Sequence, residues 1–339
     1  MTSKGIGKTT FAWLPKVIYG TSSLGNLYKE MSFADKLAII RACIQHAEGL
    51  AVFDTAGKYG AGLSLESLGA GLKQLKVDPS TVLISNKLGW YRIPLETEEP
   101  TFESGVWKGL RYDAEQRISY AGILSCYYQG NQLLGDYPAQ LVSVHDPDEY
   151  LAKALNKADE NQRYQDILEA YRALIELKNQ GKVRAVGVGS KSWKVIQRIA
   201  QDVELDWVMI ANSLTLHDHP AELLEFIAEL AAANITVINS AVFNGGFLVG
   251  GDYYNYQLVN RETLAGETLY KWREQFWETC EKFAVKPAEA CVAYGFGIDG
   301  VKAVALNTSK AEKVKDNVAM VNRVIPMEFW DELAVSGII

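Results

Sequence analysis

The sequence predicts an α/β protein, a (β/α)8 TIM barrel. Three observations carry that reading. Along the 339 residues, eight short, apolar, β-branched runs alternate with eight longer amphipathic ones, the pattern of an all-parallel sheet covered by helices. Eight strand–helix pairs favour a closed barrel over an open doubly wound sheet. The open alternative would carry G-x-G-x-x-G after its first strand. The residues there are Gly20-Thr21-Ser22-Ser23-Leu24-Gly25, and the later Gly187-Val188-Gly189-Ser190-Lys191-Ser192 lacks the third glycine.

In chain order, Val17-Ile18-Tyr19-Gly20 is the first strand, followed by a helix over 33–48. Ala51-Val52-Phe53-Asp54 is the second, with a helix over 64–75. The third, 81–86, is followed after a long insertion by a helix over 118–134, and the fourth, 140–145, by a helix over 165–179. Strand 183–189 precedes helix 193–200, and strand 205–210 precedes helix 220–233. The seventh strand, 235–239, leads into helix 264–283 and a second helix from Pro287; the eighth, 301–306, leads into helix 309–321. A further helix in 325–339 carries Phe329, Trp330 and Leu333 on one face, and Thr9-Thr10-Phe11-Ala12-Trp13 reads as a small hairpin closing the opposite end of the barrel.

No linker rich in Pro, Gly or Ser interrupts the chain, so residues 1–339 read as one domain. Segments 90–117, 146–163 and 245–262 are too long for tight turns, and all three follow strands. In such a barrel they lie on the C-terminal face, where active sites are built.

Composition narrows the function. Hydrophobic residues make up 48% and charged residues 22%, and the formal net charge is −7. A nucleic-acid binder would need a basic face for phosphates. No apolar segment follows the first charged residues, as a secretory signal would require, and no apolar run approaches the ~20 residues that span a bilayer. Cys43, Cys126, Cys280 and Cys291 are scattered without C-x-x-C spacing. They read as reduced, packed thiols of a cytoplasmic protein, without a metal site.

Three consecutive strands end on titratable side chains: Asp54, Lys87 and His145, with Tyr59 just beyond the first of them. Singly, each has a structural explanation: a strand-end cap, a half-buried loop aromatic, an exposed lysine, a turn residue before Asp146-Pro147. Jointly they form a proton-transfer set, since a barrel gathers such ends. Tyrosine, with a pKa near ~10, needs help to exchange protons at neutral pH, and a neighbouring ammonium would lower it.

Together with Phe53-Asp54-Thr55-Ala56-x-x-Tyr59-Gly60, Ser64-Leu65-Glu66-x-Leu68-Gly69, Ser85-Asn86-Lys87 and Val144-His145-Asp146, the set resembles the catalytic tetrad of the aldo-keto reductases over nearly the whole chain. Gly25-Asn26-Leu27-Tyr28 looks like the branch of aldose 1-dehydrogenases and pyridoxal 4-dehydrogenase, whose members act on L-fucose and D-threo-aldoses. The resemblance implies hydride transfer with a nicotinamide cofactor. Tyr59 would be the general acid in reduction and the general base in oxidation. Lys87 would lower the Tyr59 pKa, Asp54 would keep Lys87 charged and aimed, and His145 would orient the substrate oxygen.

The resemblance also implies a cofactor site. Ser190 and Asn212 follow strands five and six, where the family binds the carboxamide. Ser240, Phe243, Asn244 and Gly246 lie in the segment that wraps the pyrophosphate, with Ser240 where many members stack a tyrosine. Asn307, Thr308, Lys313 and Asn317 lie in the adenosine-phosphate segment. NADP-dependent members place a basic residue at the position of Asn307 and an arginine at that of Lys313, and lysine is the less directional phosphate binder. NAD is therefore expected, with NADP as the alternative. The insertion 90–117 holds Trp90 and Trp107, aromatic faces suited to a sugar, with Tyr91, Arg92, Phe102 and Arg111 nearby.

The expected activity is oxidation of an aldose, of the L-fucose or D-threo type, at C1 to its lactone. An NADPH-dependent aldehyde or pyridoxal reductase is the alternative in mechanism, and a non-catalytic barrel subunit the alternative in class. The expected partner is a small sugar or aldehyde, in a monomer or small homo-oligomer.

Overall fold

The computed structural model describes Phe11 and residues 13–339. The hairpin expected over residues 9–13 lies largely outside the described residues. Eight parallel strands close into a barrel: β1 Val17–Gly20, β2 Ala51–Ala56, β3 Val82–Leu88, β4 Leu141–His145, β5 Ala185–Ser190, β6 Trp207–Ala211, β7 Thr236–Ser240 and β8 Val301–Leu306. Each pairs with its chain neighbours, and β8 returns to β1 through Val17–Val304, Ile18–Ala305 and Tyr19–Leu306. The (β/α)8 architecture expected from the alternating pattern is the one observed.

Strands β2 to β6 are buried along almost their whole length, because one face points into the barrel and the other under the helices. Inward-facing Ile18, Val52, Leu83, Leu141, Trp207 and Ile238 fill the barrel's lower interior. Trp207 is fully buried there, and a Cβ on Gly187 would come within 2.3 Å of its indole. The glycine in β5 is thus a packing requirement of the tryptophan in β6. Outward-facing residues join Leu65, Leu68, Ile167, Leu174, Ile196 and Ile227 of the surrounding helices in the main core.

The long connections carry more structure than loops. Residues expected as an insertion form an antiparallel hairpin, Trp90–Pro94 paired with Tyr112–Gln116. Between β4 and β5, a short helix Pro147–Ala152 precedes Lys157–Asn179, which starts earlier than the expected 165 because Asn156 caps it by accepting from the Asp159 amide at 3.0 Å. After β7, a 3-10 segment Asn244–Val249 leads to a two-residue hairpin, Tyr253–Tyr254 with Gln257–Leu258. The last helix, Met327–Val335, buries Phe329 and Leu333, with Phe329 edge-on to Phe283 at 5.9 Å. The four cysteines are buried free thiols. Among the described residues, no helix is long and apolar enough to cross a membrane.

Candidate active site

Register assembles the site. Asp54 pairs with Gly20 and Ser85, Ala56 with Lys87, Lys87 with Ser143, and His145 with Gly189. Side chains alternate faces along a strand. Lys87 therefore shares a face with Ser85 and stands one layer above it, diagonal to Asp54. Its Nζ donates to Asp54 Oδ2, and both side chains are only 4% exposed. The lysine stem needs room beside β5: a Cβ on Gly189 would lie 2.9 Å from Lys87 Cδ.

Tyr59 sits in the turn between β2 and the helix Leu63–Gln74, its amide donating to Ala56 O at 3.1 Å. The turn is pressed against the first βα loop, where a Cβ on Gly60 (φ 62°) would lie 2.3 Å from Gly25 O. Glycine is required there both for the left-handed backbone and for the close approach. Lys87 Nζ stands 4.9 Å from the Tyr59 ring centroid. His145 meets that ring edge-on at 5.5 Å, and Trp107 covers it at 5.8 Å. Asp54, Tyr59, Lys87 and His145 all line one cavity of about 320 Å³ at the C-terminal end of the barrel, within the size range of small-molecule sites.

Burial sets the protonation states. The His145 imidazole is pushed well below its ordinary pKa by burial, and further by the ammonium groups of Lys87 and Lys58, so it is neutral near pH 7. Its Nε2 lies 3.5 Å from Asp146 Oδ2, while Nδ1 is buried without a hydrogen-bond partner among the described residues. Burial raises the Asp54 carboxyl against the opposing pull of Lys87. The Tyr59 hydroxyl is pushed well above 10, first by burial and then by the negative charge of Asp54. The net direction is upward although a neighbouring ammonium alone would favour the phenolate: the ring is out of water, and burial outweighs the nearby positive charge.

Of the expected cofactor residues, Ser190, Ser240, Phe243, Gly246 and Asn307 line the cavity. Gly246 has φ 99°, and a Cβ there would meet nothing within 4 Å, so any side chain would enter the cavity. Asn212 is not among the lining residues, but it adjoins Ala211, which is, and both polar atoms of its side-chain amide are buried without partners among the described residues. Asn244 is fully buried and bonds Asn255 Oδ1 at 2.9 Å instead of facing the cavity. Thr308, Lys313 and Asn317 lie off the cavity. Thr308 accepts from the Lys310 amide at 3.1 Å, and Lys313 is an exposed side chain 3.7 Å from Asp316.

For substrate, Trp107 lines the cavity and Trp90 does not. Trp90 is a buried packing residue: its ring meets Phe102 at 5.7 Å and lies under the ammonium groups of Lys58 and Lys153. Its chain is held close to the turn that carries Tyr59, since a Cβ on Gly57 would lie 2.4 Å from Trp90 O.

The sequence reading missed the charged wall of the cavity. Lys58, 2% exposed, has Nζ 2.8 Å from Glu103, 3.3 Å from Asp146 and 2.6 Å from Glu149. Lys191 is 2.6 Å from Glu149 and 3.9 Å from Asp146. Burial alone would lower the Lys58 pKa, but Asp146, Glu103 and Glu149 together hold it above its ordinary value. Its partners come from two separate loops, so nothing local to Gly57-Lys58-Tyr59 distinguishes this lysine from a solvated one.

Comparison with known proteins agrees with this geometry. Residues 16–336 match the model of the aldo/keto reductase family. Pyridoxal 4-dehydrogenase of Microbacterium luteolum is 26% identical over 335 aligned residues, covering 94% of this chain and 93% of the relative. D-threo-aldose 1-dehydrogenase of a Pseudomonas species is 26% identical over 333 residues, covering 96% and 95%. L-galactose dehydrogenase of Arabidopsis thaliana is 21% identical over 307 residues, covering 90% and 84%. Among solved structures, the aldo-keto reductase AKR11C1 from Bacillus halodurans matches with a TM-score of 0.66 at 20% identity, covering 94% of this chain and 91% of its own. The glycerol dehydrogenase AKR11B4 from Gluconobacter oxydans matches with a TM-score of 0.67 at 19% identity, covering 95% and 90%. These two likenesses concern the fold.

Proposed function

The chain belongs to the aldo/keto reductase family, and on that premise we propose that it is an aldose dehydrogenase that oxidises a sugar at C1 to its lactone with NAD. The observation that carries the reading is the convergence of Asp54, Tyr59, Lys87 and His145 on one cavity. The aldose is supported by the relatives named for D-threo-aldose and L-galactose and by Trp107, whose ring stands beside Tyr59.

The residues present fit a nicotinamide dinucleotide. Asn212 offers an unpartnered buried amide suited to a carboxamide, and the bare backbone at Gly246 leaves open the space that a pyrophosphate would need. Ser190, Ser240 and Phe243 would flank the ring. When bound, the cofactor supplies the hydride chemistry. The protein's own part is proton transfer and orientation. In oxidation, Tyr59 accepts the proton of the anomeric hydroxyl; in reduction, it donates that proton to the carbonyl oxygen. Lys87, tied to Asp54, presents a fixed positive charge under the Tyr59 ring that favours the phenolate while it exists. Neutral His145 offers an N–H or a lone pair to the substrate oxygen without adding charge.

NAD over NADP rests on two side chains. Asn307 is already engaged, accepting from Ser23 at 2.9 Å and donating to Ser22 at 3.0 Å. Lys313 lies near Asp316, which offsets the charge a 2′-phosphate would require. The test is a panel of aldoses and pyridoxal with NAD and NADP, run in both directions at the nicotinamide absorbance. Aldose oxidation with NAD is the expected result. Strict NADPH dependence, or turnover of pyridoxal alone, would overturn the cofactor or the substrate assignment, respectively.

A further inference from the structure

Glu103 is an unusual residue in the insertion. Its backbone is left-handed, with φ 45°, a conformation that costs a β-carbon-bearing residue energy and that glycine would adopt freely. Strain of this kind persists where the surroundings over-determine it. Here the surroundings are bonded to a neighbouring loop. Leu27 and Trp107 form a bridge, the Tyr28 amide donates to Val106 O at 2.8 Å, and the Lys108 amide donates to Asn26 O at 3.1 Å. The segment is thereby pinned to the first βα loop.

The strained backbone directs a carboxylate to the cavity wall, and both of its oxygens are fixed. Oε1 is 2.8 Å from Lys58 Nζ, and Oε2 accepts from Trp107 Nε1 at 2.7 Å. Lys58 is itself buried, so its position is not negotiable. An ionised carboxylate has about four acceptor sites, and these contacts use one on each oxygen. The side chain remains 29% exposed, and Glu103, Trp107 and Tyr59 line the same cavity. Lys58 and Lys191 line the cavity with Glu103 and Asp146, and both lysines also pair with Glu149 behind them. Glu103 therefore keeps acceptor capacity to spare.

We propose that Glu103 is a specificity-determining residue that accepts hydrogen bonds from two neighbouring hydroxyls of a polyhydroxylated substrate, with Trp107 covering the carbon face beside them. Fixed oxygens on one carboxyl suit a vicinal diol, because the two acceptors are held coplanar at a set spacing and no side-chain freedom is lost on binding. A cyclic hemiacetal without the diol leaves those acceptors unmatched in a partly dehydrated wall. The inference rests on the sugar reading of the site and sharpens it to a named residue.

The test compares threose with 2-hydroxytetrahydrofuran, a cyclic hemiacetal without the diol, both oxidised at C1 to the lactone with the preferred nicotinamide by wild type, Glu103→Gln and Glu103→Ala. Glu103→Gln preserves shape and an oxygen for Trp107 but breaks the ion pair and gives one terminal atom donor character. The ratio of kcat/KM for threose to that for 2-hydroxytetrahydrofuran should fall by about 10- to 100-fold in both variants, with most of the change in KM for threose. A ratio within threefold of wild type, whether both rates hold or both collapse, would overturn the proposal. Wild type that oxidises 2-hydroxytetrahydrofuran but not threose would overturn it too, while leaving the oxidoreductase reading intact. Wild type that oxidises neither would remove the C1-oxidation reading and this inference together.

Discussion

Replacing Lys87 by Met removes one charge from a pair that is almost wholly out of water. The substitution keeps the stem that packs against Gly189. It removes the ammonium that donates to Asp54 Oδ2, and leaves the Ser85 hydroxyl as the neighbouring group that still favours the charged carboxylate. Breaking a buried pair in this way costs about 3–5 kcal/mol. Asp54 can escape part of that cost by taking up a proton, which bounds it. With an unfolded pKa near ~3.9, holding the carboxyl protonated at pH 7 costs about 4 kcal/mol, at about 1.36 kcal/mol per pH unit. The sign follows from removing the charge that opposes burial: without Lys87 the Asp54 carboxyl rises further above its unfolded value than it does in wild type. Between the unfolded and folded values the native state holds the proton and the unfolded state does not, so stability falls as pH rises. Urea unfolding of Lys87→Met should therefore show a deficit of about 4 kcal/mol at pH 7 that shrinks by about 2.7 kcal/mol at pH 5. Adding Asp54→Asn removes the charge and should recover most of the loss and all of its pH dependence. A deficit that does not change between the two pH values, or a double variant no more stable than the single, would refute the reasoning.

Because burial and Asp54 push Tyr59 well above its ordinary pKa, the phenolate needed for oxidation is scarce near neutrality. The kcat/KM for sugar oxidation should rise about tenfold per pH unit from pH 7 toward pH 10, while aldehyde reduction stays flat over the same range; an oxidation profile without slope would contradict the assignment. Gly57→Ala would put a Cβ 2.4 Å from Trp90 O, so the catalytic turn and the hairpin would have to part. Urea unfolding should show a loss of about 1–3 kcal/mol, and turnover should drop because Tyr59 lies two residues away.

The barrel was legible in the sequence because its signal is periodic and repeated: eight apolar runs, each long enough to read without tertiary help. The convergence of Asp54, Tyr59, Lys87 and His145 on one cavity was legible for a related reason. Register holds Asp54, Lys87 and His145 toward the C-terminal ends of neighbouring strands, so their positions in the chain already imply their meeting. The boundaries of the long loops were not legible. The hairpin Trp90–Pro94 with Tyr112–Gln116 joins strands 17 residues apart through an irregular excursion that carries no alternating pattern. The Lys58 network was hidden because its partners, Glu103, Asp146 and Glu149, are 45, 88 and 91 positions away. Trp90 misled for the opposite reason: an aromatic beside a catalytic strand can equally well floor the site as line it, and burial decides. The raised pKa of Tyr59 could not be read from residue types, since it depends first on how completely the fold buries the ring and then on the nearness of Asp54.

The most direct measurement is the turnover of Tyr59→Phe with an aldose and NAD, followed at the nicotinamide absorbance alongside a titration of cofactor binding. The ring contacts to Lys87, His145 and Trp107 involve the ring and not the hydroxyl, so folding and cofactor affinity should stay close to wild type. With the proton-transferring oxygen gone, kcat should fall by about 100- to 10,000-fold. Turnover within threefold of wild type would contradict proton transfer by Tyr59.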